Sequence, residues 1–107
     1  MIDFDAWKNI DIRIGTIISA EKIEKSKKLL KLTVDFGDET RVIVSGIASN
    51  YSPDDIVNKQ MPFVTNLEPR EIFGIESQGM ILACHDEEDN PILLYPEKPV
   101  RSGNKVS

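Results

Sequence analysis

Polar side chains with hydrogen-bonding capacity are most concentrated between residues 66 and 80. Asn66 and Gln78 carry amides, which can donate to and accept from a base edge. Arg70 can stack on a base or hold a phosphate, and Ser77 can bond a sugar or a phosphate. Met80 fits either against an exposed base or in an apolar core. A purely structural loop needs few such groups, so this segment predicts a binding surface.

Lysine and arginine side chains form a second group with binding chemistry, although the chain has a net charge of −5. Residues 21–31 hold five lysines against two glutamates, a net +3, whereas residues 86–89 are entirely acidic. Lys31 alternates with leucines, which predicts that it projects from the outer face of a strand. Arg13 and Arg41 are predicted at equivalent outward positions. The three cations either share one binding face or are ordinary solvated surface charge.

The sequence lacks the residue sets of catalytic and metal sites. Cys84 and His85 are its only cysteine and histidine, too few for a four-ligand zinc site. Ser45 lacks the Gly-x-Ser-x-Gly frame of a serine nucleophile, and the glycines do not have phosphate-loop spacing. We therefore predict no enzymatic activity, no metal and no cofactor. Cys84 is predicted in the core and His85 in solvent.

Two short helices and five or six short strands are predicted to position these residues. Asp3 can cap a helix running to about Ile10, and Ser52 followed by Pro53 marks the start of a second helix. Alternating apolar residues and turn residues divide the remainder. The predicted strands cover residues 12–18, 30–36, 41–45, 60–64, 79–84 and 92–94, and residues 66–74 and the tail after Pro96 are predicted to be irregular.

Three strands, a helix and two further strands in that order predict an all-β closed barrel, because open sheet edges would need protection. The length of 107 residues predicts one domain over residues 1–107, which pairing with a second copy would stabilise. Phe4 and Trp7, on one face of the first helix, need a cover from the sheet or from a partner chain. No signal-like or membrane-spanning apolar run is present, so a cytoplasmic protein is predicted.

Six blocks of sequence follow one another in order: Asp11–Gly15, Lys28–Leu32, Val34–Gly37, Val44–Ala48, Asn66–Arg70 and Gly74–Ala83. Together they resemble the signature of the tRNA-binding domain family. That family occurs as the C-terminal appendage or beta chain of methionyl-tRNA synthetase and as free-standing tRNA-binding proteins. The resemblance runs from about Phe4 to Val106. Residues 23–27 replace a common His-Pro and Asn-Ala-Asp pattern and are nearer the lysine-rich version of archaeal-type synthetase chains.

The resemblance implies a five-stranded OB-fold barrel with short flanking helices that recognises tRNA by shape. It also implies a homodimer formed through the segments that flank the barrel. The module would act alone or in trans with an aminoacyl-tRNA synthetase of the methionyl type. The tRNA-binding positions that it implies are Lys31, Arg41, Ser45, Asn66, Arg70, Ser77, Gln78 and Met80.

The family also resembles secretion-related, chaperone-like proteins, which suggests an alternative function of holding unfolded polypeptide. Such a protein needs a large exposed apolar groove. After core positions are assigned, the sequence predicts no surplus of exposed apolar residues, and tRNA binding is therefore the favoured function.

Overall fold

Short strands make up most of the regular structure in the computed structural model, which describes residues 1–107. The strands are β1 (Ile12–Lys22), β2 (Leu30–Asp35), β3 (Thr40–Ser45), β4 (Gln60–Val64), β5 (Arg70–Ile72), β6 (Ile75–Ser77), β7 (Met80–Ile81), β8 (Ala83–His85), β9 (Pro91–Leu93) and β10 (Lys105–Val106). The helices are α1 (Phe4–Lys8) and α2 (Pro53–Ile56). Neither helix is long enough to cross a membrane.

The barrel is an antiparallel sheet in the order β3-β2-β1-β4-β7, with β10 added beside β1. The long strand β1 pairs with β4 through its first half and with β2 through its second half, and a register shift between Ile17 and Ser19 separates the two halves. Two hairpins, β5–β6 and β8–β9, form separate two-stranded sheets. The prediction of an all-β, five-stranded barrel with short helices is confirmed.

The barrel interior holds one apolar core. Phe36 and Phe63 meet there edge to face, with ring centroids 5.7 Å apart. Regular alternation on β2 supplies the core, as the sequence predicts, because every second residue points inward. The fully buried large side chains are Phe63, Ile17, Leu30, Leu32, Ile43, Ile56, Met61 and Val34.

The prediction for the faces of β1 is wrong, because Arg13 and not Ile12 or Ile14 lies on the inward face. Arg13 is paired with the fully buried Phe63 of β4. A side chain at Gly15, on the same face as Arg13, would collide with the core rings. The same holds for Arg41, which lies opposite the buried Val34 and so on the inward side of β3.

The first half of β1 has a second edge partner in the C-terminal segment and buried residues on both faces. Asn104 accepts a hydrogen bond from the backbone nitrogen of Ile14, and Gly103 donates one to the Ile14 carbonyl. Lys105 and Val106 then pair with the start of β1. Ile12 and Ile14 are buried on the outer side of β1, so both faces of the strand are covered and apolar residues occur on both. The tail is thus less irregular than predicted.

The helix starts agree with the sequence prediction. Asp3 accepts a hydrogen bond from the Ala6 backbone nitrogen at 2.8 Å, although α1 ends at Lys8 and not at Ile10. Ser52 and Asp55 form a capping box ahead of α2.

Cys84 is exposed, so its predicted core position is wrong. It lies opposite the exposed Ile92 on the outer face of the β8–β9 hairpin, while Ala83 and Leu93 point inward. The single strand predicted over residues 79–84 is also interrupted at Leu82, which separates β7 from β8. Cys84 therefore lies on a different short strand from the buried part of the barrel wall. His85 is exposed, as predicted.

Candidate functional site

The β5–β6 hairpin, within a segment predicted to be irregular, lies against the outside of the barrel. Arg70 pairs with Ser77, and Ile72 with Ile75. Phe73 and Gly74 form the turn with positive φ values of 50° and 78°, the pattern of a type I′ turn. The hairpin carries Arg70 on the face that meets the barrel wall, while Glu71 and Glu76 lie directly opposite each other on the other face.

The end of the hairpin is fastened to the free edge of β3 by two polar side chains. Ser77 Oγ accepts from the Val44 backbone nitrogen at 2.9 Å. Gln78 Oε1 accepts from the Val42 nitrogen at 3.0 Å, and the Gln78 nitrogen donates to the Val42 carbonyl. Edge strands leave backbone groups unpaired, and these side chains satisfy them. Ser77 and Gln78 thus close the barrel along the edge of β3 that faces away from β2, where no strand pairs with it.

Arg41 fastens the hairpin segment at both of its ends. Its Nη1 donates to the carbonyl oxygen of Thr65 at 2.5 Å and to that of Gln78 at 3.3 Å. Its Nε donates to Glu39 at 2.6 Å, which lowers the pKa of the Glu39 carboxyl from its ordinary value. The guanidinium also lies over the Phe36 ring. Arg41 is therefore committed to contacts within the chain.

Asn66 caps the segment where it leaves the barrel. Its Oδ1 accepts from the Asp11 backbone nitrogen at 2.8 Å, and its Nδ2 donates to the Asn9 carbonyl at 2.6 Å. The Asp11 carboxylate in turn accepts from Thr65 at 2.5 Å and from Arg13 at 2.9 Å. These two bonds, first the one from Thr65, lower the pKa of Asp11. Arg13 is thus occupied as well.

A groove of about 540 Å³ separates the hairpin from the barrel wall. Its lining combines apolar and polar side chains: Val44, Leu67, Glu68, Arg70, Ile72, Ser77, Gly79 and Met80. A second groove of about 570 Å³ shares Val44 and Met80 with it and continues along β7 and β8, where Ser45 and His85 line it. The side chain of Met80, 48% exposed, lies where the two grooves meet.

Lys31 is the cross-strand neighbour of Val44, which lines both grooves. It pairs with Val44 across β2 and β3, and directly opposite residues share a face of the sheet. Its Nζ lies 3.6 Å from a carboxylate oxygen of Glu21, an exposed ion pair of small energetic value. Arg70 is exposed and forms no ion pair. These two cations are the predicted binding residues that remain accessible to an anionic ligand.

The eight predicted site residues therefore fall into two groups. Arg70 and Met80 present accessible side chains in the grooves, and Lys31 presents one on the same sheet face as the groove residue Val44. The others hold the hairpin in place or are buried: Arg41, Ser45, Asn66, Ser77 and Gln78. The sequence argument missed the groove residues Leu67 and Ile72 and the turn residue Phe73. Gly74 after an apolar residue was the available signal for a hairpin.

The prediction that no apolar surplus is exposed is wrong. Twelve large apolar residues are exposed, and they include Leu67 and Met80 at the groove and Phe4 and Ile10 around α1. The residues near α1 border a third groove of about 360 Å³, which Trp7 and Val106 also line. Exposed apolar area of this kind is typical of surfaces that bind a partner.

Barrel, side hairpin and mixed apolar and cationic groove together define a small β-barrel binding module. Residues 12–105 match the model of the tRNA-binding domain family, so the chain belongs to that family. The resemblance inferred from the six sequence blocks is thereby confirmed.

Curated relatives and solved structures are consistent with this membership. The chain is 53% identical to methionine–tRNA ligase of Methanococcoides burtonii and 50% identical to that of Methanocaldococcus jannaschii, over 99% and 98% of its length. It spans only 16% of either relative. A methionyl-tRNA synthetase related protein from Pyrococcus horikoshii superposes with a TM-score of 0.96 at 38% identity, covering 100% of this chain and 98% of that one. Chaperone CsaA from Bacillus anthracis superposes with a TM-score of 0.91 at 29% identity, covering 100% of this chain and 99% of that one.

Proposed function

We propose that residues 1–107 act as one non-catalytic unit that binds tRNA in the cytoplasm, alone or together with a methionyl-tRNA synthetase. The observation that carries the proposal is the groove between the hairpin and the barrel wall. Arg70 lines it, Lys31 lies on the same sheet face as Val44 of its wall, and neither cation is held in a buried ion pair. Such cations bind phosphates and give RNA binding its salt dependence.

Two kinds of residue serve this function. Lys31, Arg70 and Met80 contact the RNA directly, the cations at phosphates and the thioether against a sugar or base. Asn66, Arg41, Ser77 and Gln78 act through the hairpin, whose distance from the barrel wall they fix. Ser45 contributes to the lining of the second groove. Most of the polar residues between positions 66 and 80 thus shape the binding surface, and few of them contact the ligand.

Binding is proposed to occur on a homodimer. Phe4 is 67% exposed on α1, and with Trp7 and Val106 it borders an apolar groove far from the hairpin in sequence. A second copy would cover this surface and bring two tRNA-binding faces into one particle. Light scattering should give twice the chain mass of 12.1 kDa. A Phe4→Asp variant should give the mass of one chain. A monomeric wild type would contradict the proposed dimer and leave the proposal of tRNA binding standing.

A salt titration of tRNA binding tests the main proposal. Affinity of the wild type for total tRNA should fall linearly on a log–log plot as salt rises. The double variant Lys31→Gln, Arg70→Gln should bind tRNA more weakly by about 1–3 kcal/mol. The slope of log affinity against log salt concentration should become shallower by the contribution of roughly two phosphate contacts. Lys98→Gln, on the exposed tail, is the matched control and should leave both quantities unchanged. A double variant that binds like the wild type would refute the assignment of these residues.

The apolar part of the groove favours a second candidate function, the binding of unfolded polypeptide. Leu67, Ile72 and Met80 could hold an extended apolar segment, and the likeness to CsaA agrees with this. Competition between the ligands distinguishes the two functions. If tRNA displaces a reduced, unfolded polypeptide, RNA is the stronger ligand of the shared groove, whereas polypeptide that stays bound at saturating tRNA favours the second candidate.

A further inference from the structure

Phe73 occupies a backbone position that does not suit it. Both central residues of a type I′ turn need a positive φ, and Asn, Asp and Gly are the residues that tolerate it. Gly74 meets this requirement, but Phe73 adopts φ of 50° with a bulky aromatic side chain. A bulky residue in this region is strained, and such strain is concentrated at functional sites.

Packing within the chain does not explain the strain. The Phe73 side chain is 59% exposed and is absent from the core cluster. Its ring takes part in no aromatic pair and no cation–π contact, although other aromatic residues do. An Asn at this position would make the turn more stable. The aromatic ring is therefore better explained by a ligand than by the fold.

Charge around the hairpin indicates which ligand. Arg70 begins β5 on the groove side and is a free cation three residues from the ring. Glu71 and Glu76, opposite each other on the far face, repel phosphates there. An aromatic ring and a cation on the same hairpin are groups that hold a single-stranded nucleotide, since the ring stacks on a base and the cation binds a phosphate.

We infer that Phe73 is a stacking platform for one unpaired base of the bound RNA, with Arg70 at an adjacent phosphate. The inference rests on the proposed function, because it assigns a contact within the same tRNA-binding surface. Such a contact would favour folded tRNA over plain duplex. Double-stranded RNA offers no free base face, whereas the loops and ends of tRNA do.

Phe73→Asn gives the sharpest test, because it removes the ring and at the same time supplies a preferred turn residue. The variant should melt at a higher temperature than the wild type and yet bind tRNA on the order of tenfold more weakly. The salt slope should stay unchanged, since no charge is lost. Phe73→Trp should bind at least as tightly as the wild type, and binding to a blunt, fully paired RNA duplex should be equal for all three proteins.

The possible outcomes separate this inference from the proposed function. If the wild type binds tRNA and Phe73→Asn binds it equally well, the stacking role is overturned and the proposed function stands. If the wild type binds no tRNA, the proposed function fails first. A Phe73→Asn variant that melts below the wild type would show that the ring serves the fold, which also overturns the inference. Loss of unfolded-polypeptide binding with unchanged tRNA binding would assign the ring to a protein ligand instead.

Discussion

Ser77 Oγ lies 2.9 Å from the backbone nitrogen of Val44 and accepts its hydrogen bond, and this contact is one of those that join the hairpin to the edge of the barrel. Ser77→Ala would leave a buried N–H without a partner, which costs about 1–3 kcal/mol. Thermal or urea unfolding should show this loss. Ser19→Ala, at an exposed position of β1, should change stability by less than about 0.5 kcal/mol. Equal stability of the two variants would contradict the closure role.

The Arg41→Lys variant tests whether Arg41 acts through the geometry of its hydrogen bonds or through its positive charge. Lysine keeps the positive charge but cannot reach two carbonyls and a carboxylate with one planar fork. We expect lower stability by about 1–3 kcal/mol and severalfold weaker tRNA binding, with an unchanged salt slope. Arg101→Lys, on the exposed tail, provides the control. A changed slope would indicate instead that Arg41 meets phosphate directly.

Removing the repulsion between Glu71 and Glu76 should have two effects. Like charges directly opposite in a hairpin are destabilising, so Glu71→Gln should raise stability by a few tenths of a kcal/mol. It should also strengthen binding to any RNA, duplex included, because less negative charge then faces the phosphates. Gel shifts with tRNA and duplex measure both affinities, and Glu97→Gln on the tail is the control. Unchanged duplex binding would show that this face has no influence on RNA approach.

Acid should unfold the protein partly through Asp11. Bonds from Thr65 and Arg13 lower its pKa from the ordinary value of 3.8. Its contribution to stability is therefore fully present above about pH 4 and is lost as the pH falls through the lower pKa of the folded state. Asp11→Asn should be less stable than the wild type at pH 7, and the difference should shrink in acid. Urea unfolding between pH 7 and pH 2.5 measures it, and a constant difference would rule out this linkage.

Much of the fold could be predicted from the sequence, because β2 alternates cleanly and the residues that start both helices act locally. The prediction failed where partners distant in sequence cover a segment. Ile12 and Ile14 look like residues of the barrel interior, yet they are buried on the opposite face of β1. Cys84 looks buried, yet it lies opposite the exposed Ile92 on the outer face of the β8–β9 hairpin.

The candidate site shows the same limit. Ser77 and Gln78 are residue types that suit an RNA ligand. In the structure, however, their side-chain oxygens accept hydrogen bonds from backbone nitrogens of β3 that no strand pairs with. Side-chain chemistry alone does not distinguish a distant strand edge from a ligand. The role proposed for Phe73 could not be predicted from its residue type, because Phe-Gly is an unusual turn sequence. Its significance depends on the positive φ of Phe73, which only the structure gives.

Pairing of β10 with β1 joins the first strand of the barrel to the last residues of the chain. The two partners lie about ninety positions apart in sequence, and contacts of such separation form late because a long loop must first be closed. Until residues 103–106 dock, the first half of β1 keeps an open hydrogen-bonding edge, and an edge of this kind can pair with another chain. Docking of this short segment therefore protects the barrel against association through β1.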